Sequence, residues 1–207
     1  MLEEFLENWR RGSRGPLPHL TPLQLLNALI LIDREGPMGR RALAHSLRLN
    51  DGVVRGLTER LAESKLVSVG DTGVQLSTPG RRSLQKLNRT LSIKRIIPLE
   101  GSDLILNNKA VGIHLSHAYR EGMTGVAQRD AAVKAGAEGS ITVAALGGKL
   151  IIPPDNKDLA RVAPKENARL RAEFNPSNRD LIIVGFGGEA TIAMAGALAA
   201  VLTLQKD

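Results

Sequence analysis

The chain has 207 residues, 43% of them hydrophobic, which is enough to bury a core in one large or two small domains and too apolar for a disordered chain. There is no cysteine, which excludes a disulfide scaffold, a thiolate metal site and a cysteine nucleophile. The formal charge of +7 is unevenly spread: residues 1–97 hold 16 of the 28 Lys/Arg and 9 of the 21 Asp/Glu, leaving 12 of each for 98–207. A basic half beside a neutral half means either that the first faces a polyanion and the second does not, or that the first merely has a generically basic surface.

In chain order, the acidic stretch Leu2 to Trp9 reads as a short helix. It lacks the basic start and long apolar run of a signal peptide. Residues 10–18 are basic and rich in Gly and Pro, and read as a joint or arm whose Arg10, Arg11 and Arg14 either touch phosphate or are simply solvated. Thr21 is a natural N-cap and Pro22 suits the first helical position. Leu25, Leu26, Leu29, Ile30 and Ile32 then form an apolar face, and Gly36-Pro37 stops the helix. A second helix is expected from Gly39 to Leu47, with Leu43, Ala44 and Leu47 inward. After the turn Arg48-Leu49-Asn50, a third is expected from Asp51 to Ser64, with Val54, Leu57 and Leu61 inward.

At Leu66 the period changes from helical to alternating. Leu66-Val67-Ser68-Val69 and Val74-Gln75-Leu76-Ser77 flank the turn Gly70-Asp71-Thr72-Gly73, which predicts a short β-hairpin. Thr78-Pro79-Gly80 opens a further helix, in which Leu84, Leu87 and Leu91 form a row that either packs on its own domain or, the preferred reading, pairs with a second copy.

Helix, helix, tight turn, helix and hairpin is the order of a winged helix-turn-helix. Residues 23–91 resemble MarR- and PadR-type transcription regulators. The likeness rests on Arg41-Ala42-Leu43-Ala44, Leu47-Arg48-Leu49, Val53-Val54-Arg55 with Leu57 and Leu61, and above all on Leu76-Ser77-Thr78-Pro79-Gly80-Arg81 closing the hairpin. The two-domain layout also resembles archaeal regulators that join such a head to a small C-terminal domain of unknown function. The resemblance implies a protein that binds double-stranded DNA with its third helix in the major groove.

With Val54, Leu57 and Leu61 inside, Gly52, Arg55 and Glu59 face outward. Arg55 is placed to donate two hydrogen bonds to a guanine edge, and Gly52 lets the helix start approach the backbone. Asn50 either caps the helix or reads adenine, capping being preferred. Arg40, Arg41 and Arg48 suit phosphate contact, with Arg60 and Lys65 as further positions. The hairpin tip offers Thr72 but also Asp71, a departure from the cationic wing that grips a minor groove.

From residue 96 onward an α+β domain is expected. Ile93 to Pro98 reads as a strand. Asp103 to Leu106 and Ala110 to Leu115 read as one hairpin, Ser140 to Leu146 and Lys149 to Ile152 as another, and Leu181 to Val184 as a buried strand. Helices are expected from Thr124 to Ala135, after Pro164, and from Glu189 to Leu204. Gly185, Gly187 and Gly188 either offer N–H groups to an anion or, as preferred, serve a tight turn and close packing. Arg129 and Asp130 either hold a polar effector or pair on the surface. His114 and His117 are separated by two residues, with no third ligand evident, and strand spacing would point them to opposite faces.

The expected organisation is an N-terminal helix and linker over 1–18, a winged helix-turn-helix over 19–95 and an effector-binding or dimerisation domain over 96–207. The expected function is a cytoplasmic, homodimeric transcription regulator with a possible small-molecule effector, no cofactor, no membrane partner and no enzymatic activity. Two alternatives stand beside it: a metabolic enzyme with a DNA-binding head, for which no nucleophile–base pair, metal cluster or paired carboxylates are evident, and a winged-helix module that binds protein.

Overall fold

The computed structural model describes residues 20–99, 101, 104–105 and 109–205. The expected N-terminal helix and basic joint lie outside the described residues. The chain divides into two compact units between Thr90 and Leu91, and its fold is mixed α+β, helical in the first unit and built on a sheet in the second.

In the first unit, α1 spans Pro22–Glu35. Thr21 closes it with a capping box: the Gln24 N–H donates to Thr21 Oγ1 at 3.2 Å and the Thr21 N–H donates to Gln24 Oε1 at 2.9 Å. The apolar face from Leu25 to Ile32 is buried. Helix α2, Arg40–Leu47, ends on Arg48 in the left-handed region. Helix α3, Asp51–Glu63, is capped by Asn50, whose Oδ1 accepts the Val53 N–H at 2.8 Å. Val54, Leu57 and Leu61 are fully buried.

Strands β1 (Val67–Gly70) and β2 (Gly73–Leu76) pair antiparallel from Val67↔Leu76 to Gly70↔Gly73. The hairpin gains a further rung from the α1–α2 connection. Met38 donates to the Val74 carbonyl at 3.0 Å and accepts the Val74 N–H at 2.8 Å. A one-residue bridge has no alternating pattern, so sequence periodicity does not reveal it.

Helix α4, Thr78–Thr90, follows directly. Its entry explains the Leu-Ser-x-x-Gly pattern. The Ser77 hydroxyl donates to the Lys65 carbonyl and accepts the Gly80 N–H at 3.0 Å. A Cβ on Gly80 would lie 1.9 Å from the Leu66 carbonyl oxygen, so only glycine lets the helix start this close to the hairpin. The leucine row is corrected here. Leu84, Leu87 and Leu91 are 3%, 4% and 2% exposed, so they are spent inside the chain and offer no surface to a second copy. For Leu84 and Leu87 the spacing reflects α4 packing on α1 and β2 within its own unit; Leu91 lies beyond the helix.

The second unit carries a six-stranded antiparallel sheet in the order β3-β4-β8-β5-β6-β7. Its strands are β3 (Ile93–Pro98), β4 (Lys109–Leu115), β5 (Gly139–Leu146), β6 (Lys149–Ile152), β7 (Lys157–Asp158) and β8 (Leu181–Gly187). Helices α5 (Val126–Lys134) and α8 (Ala190–Thr203) pack on each other and on β4, β5 and β8. The short α6 (Leu159–Val162) and α7 (Pro164–Phe174) send Leu159, Ala163, Leu170 and Phe174 into a core with Val143, Ala145, Leu150, Ile182 and Val184. Two sets of alternating side chains from one strand thus reach two cores, which is why Leu181–Val184 reads as continuously apolar.

One expected hairpin is corrected. β4 pairs with β3 and β8, while Leu104 and Ile105 lie in a turn and a bend; the neighbouring positions Asp103 and 106–108 are outside the described residues. The β5–β6 hairpin is as read. Its register closes at Leu146↔Lys149 over Gly147 and Gly148, whose φ values of +54° and +75° explain the glycine pair.

Candidate nucleic-acid interface

The turn Arg48-Leu49-Asn50 sets α3 against α2 and leaves one side of α3 in solvent. Gly52, Arg55 and Glu59 are exposed there, at helical spacings of three and four, as are Arg40 and Arg41 at the start of α2 and Arg48 at its end. Asn50 is engaged as the cap. A Cβ on Gly52 would meet nothing nearer than Asn50 Oδ1 at 3.5 Å, so packing does not demand glycine at this position.

Arg55 and Glu59 form an i,i+4 pair, with Arg55 Nε donating to Glu59 Oε1 at 2.8 Å. The hydrogen bond and charge of Glu59 raise the Arg55 pKa further above its usual value. Since Nε is the engaged atom, the terminal nitrogens are left toward solvent, and the carboxylate orients the guanidinium. Arg60 is corrected: it is 5% exposed and lies on the inner side of α3, so it does not face a duplex. Lys65 is exposed, with φ +58° after α3.

A groove of about 640 Å³ separates α3 from the hairpin, with Arg40, Glu59, Glu63 and Val69 among its walls. Thr72 is exposed at the hairpin tip beside Asp71. The hairpin flank of α3 thus carries two carboxylates, Glu59 and Glu63, with Arg40 of α2 beside them.

In the second unit the candidate ligand-binding residues lie on α5 and at the end of β8. Arg129 and Asp130 are exposed on α5 and pair with each other at 3.1 Å. Gly185 and Gly187 belong to strand β8 itself. A Cβ on Gly185 would lie 2.5 Å from the Ala193 carbonyl oxygen and from the Ala197 nitrogen, and one on Gly187 would lie 2.8 Å from Ile192 Cγ2. These glycines let α8 settle onto the sheet. Gly188 is exposed at the bend that follows.

A polar cluster that the sequence reading missed lies at the ends of β4 and β8. Asp180 is fully buried. It accepts the His117 N–H at 2.8 Å, His114 Nε2–H at 2.8 Å and the Ser177 N–H at 3.0 Å, with Lys94 Nζ at 3.4 Å. The two histidines are therefore not separated: β4 ends between them, and Asp180 takes the ring of one and the backbone of the other. Burial pushes the Asp180 carboxyl up, but the donors from His117, His114 and Ser177 and the Lys94 charge outweigh it and hold it at about 2. Burial lowers the His114 pKa despite Asp180, so the ring is neutral and its proton sits on Nε2. The sequence signal was slight: one acidic residue ahead of the most apolar strand.

Among the described residues, no group of three or more His/Cys/Asp/Glu could hold a metal ion, and no helix is long and apolar enough to cross a membrane.

Residues 26–91 match the family model described as the CggR N-terminal DNA binding domain. Residues 106–204 match the family model of a domain of unknown function, DUF4443. No curated protein matches the chain. Among solved structures, the chain is similar to a hypothetical protein from Pyrococcus horikoshii OT3, with 20% identity and a TM-score of 0.74 over 91% of this chain and 94% of that one, a likeness of fold. The N-terminal unit thus resembles a DNA-binding domain, which supports a DNA-binding regulator with DNA as its partner, joined to a sheet-containing C-terminal domain.

Proposed function

We propose that the protein is a transcription regulator whose N-terminal unit acts as a winged helix-turn-helix of the kind shared by MarR and PadR regulators. The observation that carries this reading is the exposed edge of α3. In a segment that matches a DNA-binding domain, it presents Gly52 and a carboxylate-oriented Arg55, with Arg40, Arg41 and Arg48 exposed on α2 and its C-cap. Arg55 reads a guanine edge through its terminal nitrogens while Glu59 holds Nε. Arg40, Arg41 and Arg48 position the duplex by its phosphates. The hairpin grips weakly, since its tip carries Asp71 and its strands hold no Lys or Arg to meet a phosphate backbone.

The neutral second unit serves pairing or effector binding, the effector altering the spacing of two recognition helices in a homodimer. Its support is the separate core and the balanced charge of residues 98–207. The leucines of α4 do not support it. Action on DNA implies a cytoplasmic place, and no catalytic role is assigned.

The test compares Arg55→Ala with Arg41→Ala on a selected duplex and on random sequence. Arg55→Ala is expected to lower the preference for the selected site by about 1–3 kcal/mol, while Arg41→Ala weakens binding to both alike. Equal loss on both duplexes for Arg55→Ala contradicts its base-reading role.

A further inference from the structure

The positive charge of the first unit does not sit where the α3 reading places it. Residues 20–90 hold 11 Lys/Arg and 6 Asp/Glu, an excess of five. Helix α4 alone supplies four of the cations, Arg81, Arg82, Lys86 and Arg89, and no carboxylate. The rest of the unit, α2 and α3 included, is nearly balanced.

All four α4 cations are exposed, and none has a carboxylate within ion-pairing distance among the described residues. Gly80, Leu84 and Leu87 turn the opposite side of the helix inward. Arg82, Lys86 and Arg89 follow at i, i+4 and i+7 and so share one stripe, with Arg81 toward one side. Like charges at i,i+3 and i,i+4 destabilise a helix. On α3, by contrast, Arg55 has an opposite charge at i+4 in Glu59.

From these observations we propose that the outer face of α4 is a second phosphate-binding surface, engaging duplex backbone outside the stretch that α3 reads. The proposal rests on the DNA-binding reading above. The linear charge matches that of one strand: three cations within about 10 Å of helix axis, or one per about 3.5 Å, face a backbone that carries one negative charge per about 3.4 Å along each strand. The stripe holds no aromatic side chain for stacking, and its cations have no carboxylate to orient them as Glu59 orients Arg55, which suits contact with backbone phosphates.

The experiment measures duplex affinity of the full chain between 50 and 200 mM salt for the wild type, for the triple substitution Arg82→Gln, Lys86→Gln and Arg89→Gln, and for a control that neutralises Lys109, Lys134 and Arg161 in the second unit. All six side chains are exposed, and matching thermal unfolding confirms that each variant is folded. The proposal predicts that the α4 triple lowers the slope of log affinity against log salt by about 2–3, keeps the sequence preference, and differs from the control, which keeps the wild-type slope. A wild-type slope for the α4 triple overturns the proposal while leaving the α3 reading intact. The same loss in the control overturns it as a mere effect of net charge. A wild-type chain that ignores duplex throughout overturns both readings together.

Discussion

Replacing Asp180 with alanine is expected to cost the second unit about 3–5 kcal/mol. The carboxylate is fully buried and joins four segments: Lys94 on β3, His114 on β4, His117 just after it and Ser177 ahead of β8. Alanine leaves the His117 and Ser177 N–H groups and His114 Nε2–H without an acceptor and opens a small cavity beside the His114 ring, whose centroid is 5.7 Å from that of Phe174. Denaturant unfolding followed by circular dichroism reads the loss, and an unchanged midpoint contradicts the assignment of Asp180 as the clamp of the sheet.

The same carboxylate gives a pH signature. Its pKa in the folded chain is depressed to about 2 from an ordinary 3.8. The stabilisation is therefore fully present above about pH 4 and is lost as the pH falls toward 2, amounting to about 2 kcal/mol. Asp180→Asn should flatten the stability profile over that window, whereas a variant that loses stability as steeply as the wild type contradicts this.

Gly80→Ala is expected to destabilise the first unit by about 2 kcal/mol, and the sign is what makes it informative. In an open helix this exchange gains about 1 kcal/mol, because glycine is the poorer helix former. Here the added Cβ would stand 1.9 Å from the Leu66 carbonyl oxygen, and relieving that overlap means moving the start of α4 off the hairpin, at a cost of about 3 kcal/mol. Gly52→Ala is the contrasting case. Its Cβ meets only Asn50 Oδ1 at an ordinary 3.5 Å, so stability is kept or slightly raised while DNA affinity falls if α3 lies close to a backbone. Thermal unfolding of the two variants side by side separates packing from propensity, and a stabilised Gly80→Ala contradicts the packing account.

The helical part of the first unit is legible because each signal is local. Thr21 and Pro22 announce α1, Asn50 announces α3, and Leu-Ser-x-x-Gly marks a turn closed by groups between Lys65 and Gly80. The Met38–Val74 bridge was not legible, because one rung between distant residues leaves no period. In the second unit the β5–β6 hairpin follows from its own glycine pair. The partner of β4 does not, since β3 and β8 are brought to it by the whole sheet and not by any turn.

The site divides in the same way. Exposure of Gly52, Arg55 and Glu59 follows from helical spacing alone. The burial of Arg60 and of Leu84 and Leu87 depends on which faces the rest of the unit covers. Asp180 stands 66 and 63 residues from the groups it joins, so only the folded sheet shows His114 and His117 meeting at one carboxylate.

Titrating the full chain against a mixed-sequence duplex at 50, 100 and 200 mM salt tests the central claim most directly. A basic first unit that holds phosphate should bind at low salt and lose affinity steeply and linearly on a log–log scale as salt rises. No binding at 50 mM, or an affinity indifferent to salt, contradicts it.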